Sequence, residues 1–145
     1  MIAIDTAIAT LLKGNAPLMA AATGGIHKVI APEDAQPPFI EVVPLSSIPE
    51  YTFGATAWED HDYYITGVGV ATATKGAYEV AETLRDQAVA LITGRTGGSW
   101  TLTVSGVKVM RVWRARNLQP FSHRVGGVEW IYAPADVSVR VTQLS

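Results

Sequence analysis

Ile4, Ile8, Leu11 and Leu12 recur at i, i+4, i+7 and i+8, one apolar stripe of an amphipathic helix that ends near Lys13-Gly14 with a cation and a glycine. Asn15 is placed to cap a short second helix with Pro17 in its first turn, running through Leu18 to Ala22 until Gly24-Gly25 stops it. Residues Ile26 to Ile30 are β-like. From Ala31 to Pro38, three prolines with Glu33 and Asp34 predict an ordered, non-regular loop, after which Phe39 to Val43 reads as a strand stopped by Pro44.

Ser46 to Asp62 has no hydrophobic period and reads as a long loop carrying Tyr51, Phe53 and Trp58; a loop of that size inside a domain is functional or flexible. Asp62 to Thr74 reads as an extended strand, with Tyr64, Val68 and Val70 on one face and Tyr63, Ile65 and Ala71 on the other. Both faces are apolar, so both are expected to be covered. The strongest helical stripe is Ala77, Val80, Ala81, Leu84, Ala88, Leu91 and Ile92, with Glu79, Glu82, Arg85 and Asp86 outside it and Gly94 closing it.

Three strands are expected after that helix, over Trp100 to Val104, Val107 to Leu118 and Val128 to Val141. Ser105-Gly106 is a two-residue hairpin signal between the first two, and Gln119 to Gly127 links the second to the third. Pro134 calls for a bulge, a break or an edge position in the last strand. The order α, α, β, β, β, α, β, β, β predicts an α+β fold, a mixed, mainly antiparallel sheet with helices packed on one face. Neither an internal repeat nor a linker interrupts the chain, so residues 1–145 read as a single domain.

Composition narrows the chemistry. The chain has 145 residues, 48% of them hydrophobic and 17% charged, a formal net charge of −2 and no Cys. High apolar content with low charge excludes disorder as the main state. The missing cysteines exclude disulfide frameworks, thiolate-ligated metals and thiol nucleophiles. A slightly acidic balance makes the whole fold a poor non-specific nucleic-acid binder. The apolar runs are all too short to span a membrane. Leu18 to Ala22 resembles a cleavage region, but a basic leader is missing and Lys13-Gly14-Asn15 interrupts the run, so the N-terminus reads as mature sequence.

Glu59-Asp60-His61-Asp62 is the densest group of possible metal ligands, but neighbours in an extended segment point to opposite sides, and the run reads as solvated. The only histidines are His27, at the end of a short strand, His61, and His123, placed in a turn. A triad could be assembled from Ser122, His123 and Asp136, yet no Gly-x-Ser-x-Gly elbow or His-Glu-x-x-His pair supports catalysis. Gly67-Val68-Gly69 and Gly94 to Gly98 are not nucleotide fingerprints; the first pair instead permits close backbone approach or a bend. No catalytic residue, metal ligand or cofactor site is assigned. Lys108, Arg114 and Arg116 share a parity and so one strand face. Such a basic stripe suits DNA phosphates, an acidic partner, inter-subunit salt bridges or plain solvent.

The N-terminal order is more specific. The helix ending in Leu11-Leu12, the Ala-rich helix around Leu18, Gly25-Ile26, the Pro-rich loop and Pro37-Pro38-Phe39-Ile40 resemble the tail terminator (tail completion) proteins of long-tailed bacteriophages and gene transfer agents. The strand from Tyr64 to Val70, the helix with Ala77, Ala81, Leu84 and Arg85, His123-Arg124-Val125 and the closing Val137 to Val141 agree with that family. The resemblance implies a non-enzymatic virion protein, assembled in the host cytoplasm, that forms a homo-hexameric ring on the head-proximal end of the tail tube. Its implied partners are the tail tube protein and a head or neck connector protein, with DNA passing through a central channel without sequence-specific binding; no membrane is involved. Tyr51, Phe53 and Trp58 are then expected interface anchors, because buried aromatics dominate binding. Lys108, Arg114 and Arg116 become a channel or inter-subunit stripe. Another neck component, such as a head-completion or adaptor protein, is the nearest alternative; a small metal-dependent hydrolase or an apolar-ligand binder stands further off.

Overall fold

The computed structural model describes residues 4–29, 31–52 and 55–143, with side chains described outside 46–57 and 143. Helix α1 (Ile4–Lys13) buries Ile4, Ile8, Ala9 and Leu12, the stripe expected from its spacing. Helix α2 (Ala16–Ala21) is capped as the sequence requires, Leu18 N donating to Asn15 Oδ1 at 2.9 Å. Strand β1 (Ile26–Lys28) follows, then β2 (Phe39–Thr52) and β3 (Ala55–Gly69). Helix α3 (Ala77–Ile92), the short ribbon β4 (Arg95–Thr96) and β5 (Ser99–Trp100), and strands β6 (Val107–Asn117), β7 (Phe121–Val125) and β8 (Val128–Gln143) complete the chain.

The main sheet has the order β1-β2-β3-β8-β6, with β7 also paired to β8. Among the described residues β1 and β2 run parallel and the other pairs of this sheet are antiparallel. The fold is therefore α+β, a mixed and mainly antiparallel sheet with its helices on one face. Ile4, Ile8 and Leu12 of α1 and Leu84, Ala88 and Ile92 of α3 share one core with Ile40, Val42, Ile65, Val137, Val139 and Val141 of the sheet.

Helix α3 lies directly on the backbone of β3. A Cβ at Gly67 would run into the Ala81 carbonyl oxygen and lie 2.8 Å from Arg85 N, and one at Gly69 would lie 2.6 Å from Ala81 N. That close approach is one of the two roles the sequence allows this glycine pair. It also buries Arg85, expected on the outer side of the helix, to 3% exposure. Its guanidinium is paired with Asp86 (3.0 Å) and Glu82 (3.5 Å).

The following sequence expectations about the strands fail, each for a physical reason. Ser46 to Asp62 is not a loop: β2 continues through Pro44 and pairs with β3 as far as Thr52 opposite Ala55, a shift between Pro44 and Ser46 absorbing the proline. Trp100 to Val104 is not a strand, since only Ser99 and Trp100 pair, with β4, and Ser105-Gly106 closes no hairpin. His123 lies in β7, opposite Trp130, instead of in a turn. Among the described residues no helix covers the second sheet face, as expected of helices on one face; Val68 is nonetheless buried there, Phe39 on β2 and Tyr132 on β8 lying opposite it.

Pro134 occupies a break, one of the outcomes its presence allows. The neighbour of β8 changes there, from β7 ending at Tyr132 to β6 beginning at Ala135, and Pro134 O accepts from Leu118 N at 3.0 Å.

Candidate interaction surface

The sheet face turned away from the helices carries most of the side chains singled out by the sequence. Alternation along β3 puts Trp58, Asp60, Asp62, Tyr64, Thr66 and Val68 on it. Along β8 it carries Trp130, Tyr132, Asp136, Ser138, Arg140 and Thr142.

The strand ends near the β2–β3 turn are polar and interlocked. Arg140 holds Asp60 through two hydrogen bonds, of 2.8 and 3.0 Å, and its guanidinium lies 4.8 Å from the Trp58 ring and 5.5 Å from that of Trp113. Arg111 stacks on Trp113 at 4.6 Å. Beside them Ser138 donates to Asp62 in a short hydrogen bond, and Asp136 faces Arg116 at 3.7 Å. Burial, reinforced by the nearby Asp62 charge and only partly offset by Arg116, pushes the Asp136 carboxyl above the usual range. Asp136 Oδ1 and Trp58 Nε1 are buried without hydrogen-bond partners.

The opposite end is aromatic. His27 meets Phe39 edge-on at 5.6 Å, Phe39 meets Trp130 at 6.1 Å, and Phe121 stacks flat on Tyr132 at 5.0 Å. A cleft of about 450 Å³ runs past Glu41, Tyr64, Phe121, Tyr132 and Pro134. Burial, then the Glu41 charge, raises the Tyr132 phenol above its ordinary value.

Of the aromatic trio, Trp58 is in β3 and packs under Arg140 instead of standing in a loop. The backbone of Tyr51 pairs with Thr56, while its side chain and the whole of Phe53 lie outside the described residues. The basic stripe does not hold together as one face. Two bulges, between Val109 and Arg111 and between Arg114 and Arg116, each reverse the alternation of β6. Lys108 and Arg116 consequently share the open face, whereas Arg114 lies opposite Val137 on the helix side and binds Asp86 at 3.2 Å.

Glu59 and His61 contact each other at 3.2 Å, while Asp60 and Asp62 turn to the other face, so the acidic run is divided as alternation requires. Among the described residues there is no group of three or more His, Asp or Glu able to hold a metal ion, and no helix is long and apolar enough to cross a membrane. His123 on β7 lies opposite Trp130 of β8, whereas Asp136 of β8 lies opposite Arg116 on β6, so the paper triad is not assembled.

The exposed ribbon of β7 and β8 escaped the sequence reading. Phe121, Val125 and Val128 stand on it, 55%, 38% and 50% exposed. Its signal was present in Gly126-Gly127, a two-residue turn in which both glycines have positive φ, 58° and 80°. Phe121 and Val125 flank the polar Ser122-His123-Arg124, and Val128 and Trp130 flank Glu129.

With this geometry in place, comparison with known proteins is informative. A chain in the virion of a native gene transfer agent (GTA) particle has this fold. The two superpose with a TM-score of 0.67 over 92% of this chain and 90% of that one, at 16% sequence identity. At that identity the likeness is one of fold. No protein-family model matches the chain, and neither does any curated protein.

Proposed function

We propose that this chain is a structural protein of a bacteriophage or gene-transfer-agent virion and, more narrowly, a tail terminator. The observation that carries the reading is the fold shared with a gene-transfer-agent virion chain over nearly the full length of both. The N-terminal helix pair, Pro-rich loop and following strand, which resemble tail terminators, support the narrower role.

In this reading six copies close into a ring on the head-proximal end of the tail tube. One face of the ring matches the last tube layer and the other does not repeat it, so growth stops by geometric mismatch and no covalent chemistry is required. The second face then meets a head or neck protein, and DNA passes through the opening. Heterologous contacts of this kind use two different patches on each subunit.

Light scattering of the purified chain, followed by negative-stain imaging with and without isolated tail tubes, tests the proposal. Rings of six with a central hole, alone or on tube ends, are expected. A chain that remains monomeric and leaves the tube ends bare would overturn it.

A further inference from the structure

Strand β3 joins β8 only from Ile131 onward, so β7 and the first residues of β8 extend past the sheet as a two-stranded ribbon. Pairing places Phe121, His123 and Val125 opposite Tyr132, Trp130 and Val128 on one face, and Arg124 opposite Glu129 on the other. A lone two-stranded ribbon is marginal in water. This one nevertheless presents an apolar face to solvent, and an exposed apolar patch of that kind marks a contact surface. The Glu33 and Asp34 loop flanks it, Glu33 sharing a small cleft with Val125 and Trp130. Glu33, Asp34 and Glu129 form no ion pair among the described residues.

At the β6 margin the chain carries the complementary surface. A groove of about 550 Å³ has an apolar floor including Trp100, Leu102, Val107 and Met110, and Arg95 and Lys108 stand at its rim. Trp100 fixes that wall by donating to Met110 O at 2.8 Å, at the first bulge of β6. Neither Arg95 nor Lys108 has a carboxylate partner among the described residues.

We infer that the occupant of this groove is a second copy of the same chain, whose β7–β8 ribbon seats its apolar face on the groove floor. Acidic groups beside the ribbon then meet the basic rim, which is the complementarity that fixes register and rejects other partners. Because ribbon and groove are different patches, the contact runs head to tail and repeats around a ring. The inference rests on the ring reading above and names its subunit contact.

Two variants test it by light scattering across a concentration series: a ribbon variant, Phe121→Ser with Val128→Ser, and a groove variant, Arg95→Glu with Lys108→Glu. Each alone is expected to weaken self-association by at least about tenfold, as loss of a central anchor or charge pair does. Mixed together they are expected to form heterodimers, because one retains a sound groove and the other a sound ribbon. Circular dichroism reports whether each folds, and Lys108→Glu alone reads the same contact if a double variant does not. A wild-type oligomer indifferent to both variants, or a mixture that does not pair, overturns the contact and leaves the ring reading standing. A wild-type chain monomeric at millimolar concentration also overturns it, and the ring reading is then decided separately by binding to tail tubes.

Discussion

Arg140 and Asp60 lie directly opposite one another on β8 and β3, and the guanidinium grips both carboxylate oxygens, Nε to Oδ1 at 2.8 Å and Nη2 to Oδ2 at 3.0 Å. The side chains are 29% and 19% exposed, so water screens the pair only partly. Planar stacking near Trp58 and Trp113 adds an attraction that lysine would not reproduce. Arg140→Met is therefore expected to destabilise the fold by about 1–3 kcal/mol, with Arg140→Lys in between. Urea unfolding of the two variants and of Asp60→Asn measures this. Losses all below about 0.5 kcal/mol would class the pair as an ordinary surface contact.

The packing of α3 on β3 makes a sharper case. A methyl group at Gly67 has no space, because the Ala81 carbonyl and Arg85 amide already occupy it. Gly67→Ala is expected to cost about 3 kcal/mol by pushing the helix off the sheet. Gly76→Ala, at the N-cap of α3 with nothing within 4 Å of the added carbon, serves as the comparison and is expected to cost no more than about 1 kcal/mol. Equal midpoints in denaturant for the two variants would refute the close-approach account.

What the sequence shows well is whatever follows from periodicity and local sterics. The α1 stripe and the Asn15 cap were legible because each depends on neighbours a few residues away; Gly67-x-Gly69 marked a close approach or a bend by residue type alone, without showing that α3 is what approaches. The long β2–β3 hairpin was not legible, since Pro44 and Pro49 stand in a strand whose outer margin β1 covers only opposite Ile40 to Val42; edge strands tolerate prolines that a central strand would not. Arg114 went to the wrong face for a related reason. Bulges at Met110 and Ala115 leave no mark in the residue types, and a parity argument fails between them. The ribbon ending in Gly126-Gly127 could have been read, but its exposed apolar face becomes visible only once β3 is seen to stop short of it.

Asp136 gives the fold a pH dependence of definite sign. Its carboxyl is raised, first by burial and then by Asp62, so the folded state binds its proton more tightly than the unfolded chain does. Its contribution to stability is fully present below the ordinary aspartate value and is lost as pH rises through the folded value. Asp136→Asn should consequently be more stable than the wild type at neutral pH, and the difference should shrink at acidic pH. Unfolding free energies of both proteins at pH 4 and pH 7 check this; a variant less stable at both would show that the Arg116 contact outweighs burial.

Tyr63 acts in the alkaline range. Burial, with a smaller contribution from Asp5, raises its phenol from 10.0 to about 12. Stability from keeping it protonated is present below pH 10 and is lost as pH rises through about 12. Ultraviolet titration should show two of the five tyrosines, Tyr63 and Tyr132, ionising above the ordinary phenol range, and Tyr63→Phe should remove the step near pH 12 and flatten the loss of stability between pH 10 and 12. A step near pH 12 that survives in Tyr63→Phe would assign it elsewhere.

Lys108 and Arg114 separate assembly from folding, because the bulge between them sends their side chains to opposite faces. Arg114 reaches Asp86, whose same carboxylate oxygen holds the buried Arg85, so a glutamate at 114 would repel Asp86 and loosen that buried cation. Arg114→Glu is expected to lower stability by about 1–2 kcal/mol whatever the state of assembly. Lys108 is exposed and forms no ion pair among the described residues, so Lys108→Glu should leave the unfolding midpoint within about 0.5 kcal/mol of wild type and act on association alone. Denaturant curves and light scattering on the same two proteins read both quantities. If Lys108→Glu unfolds early while association is untouched, the cation serves the subunit's own fold and not its neighbour.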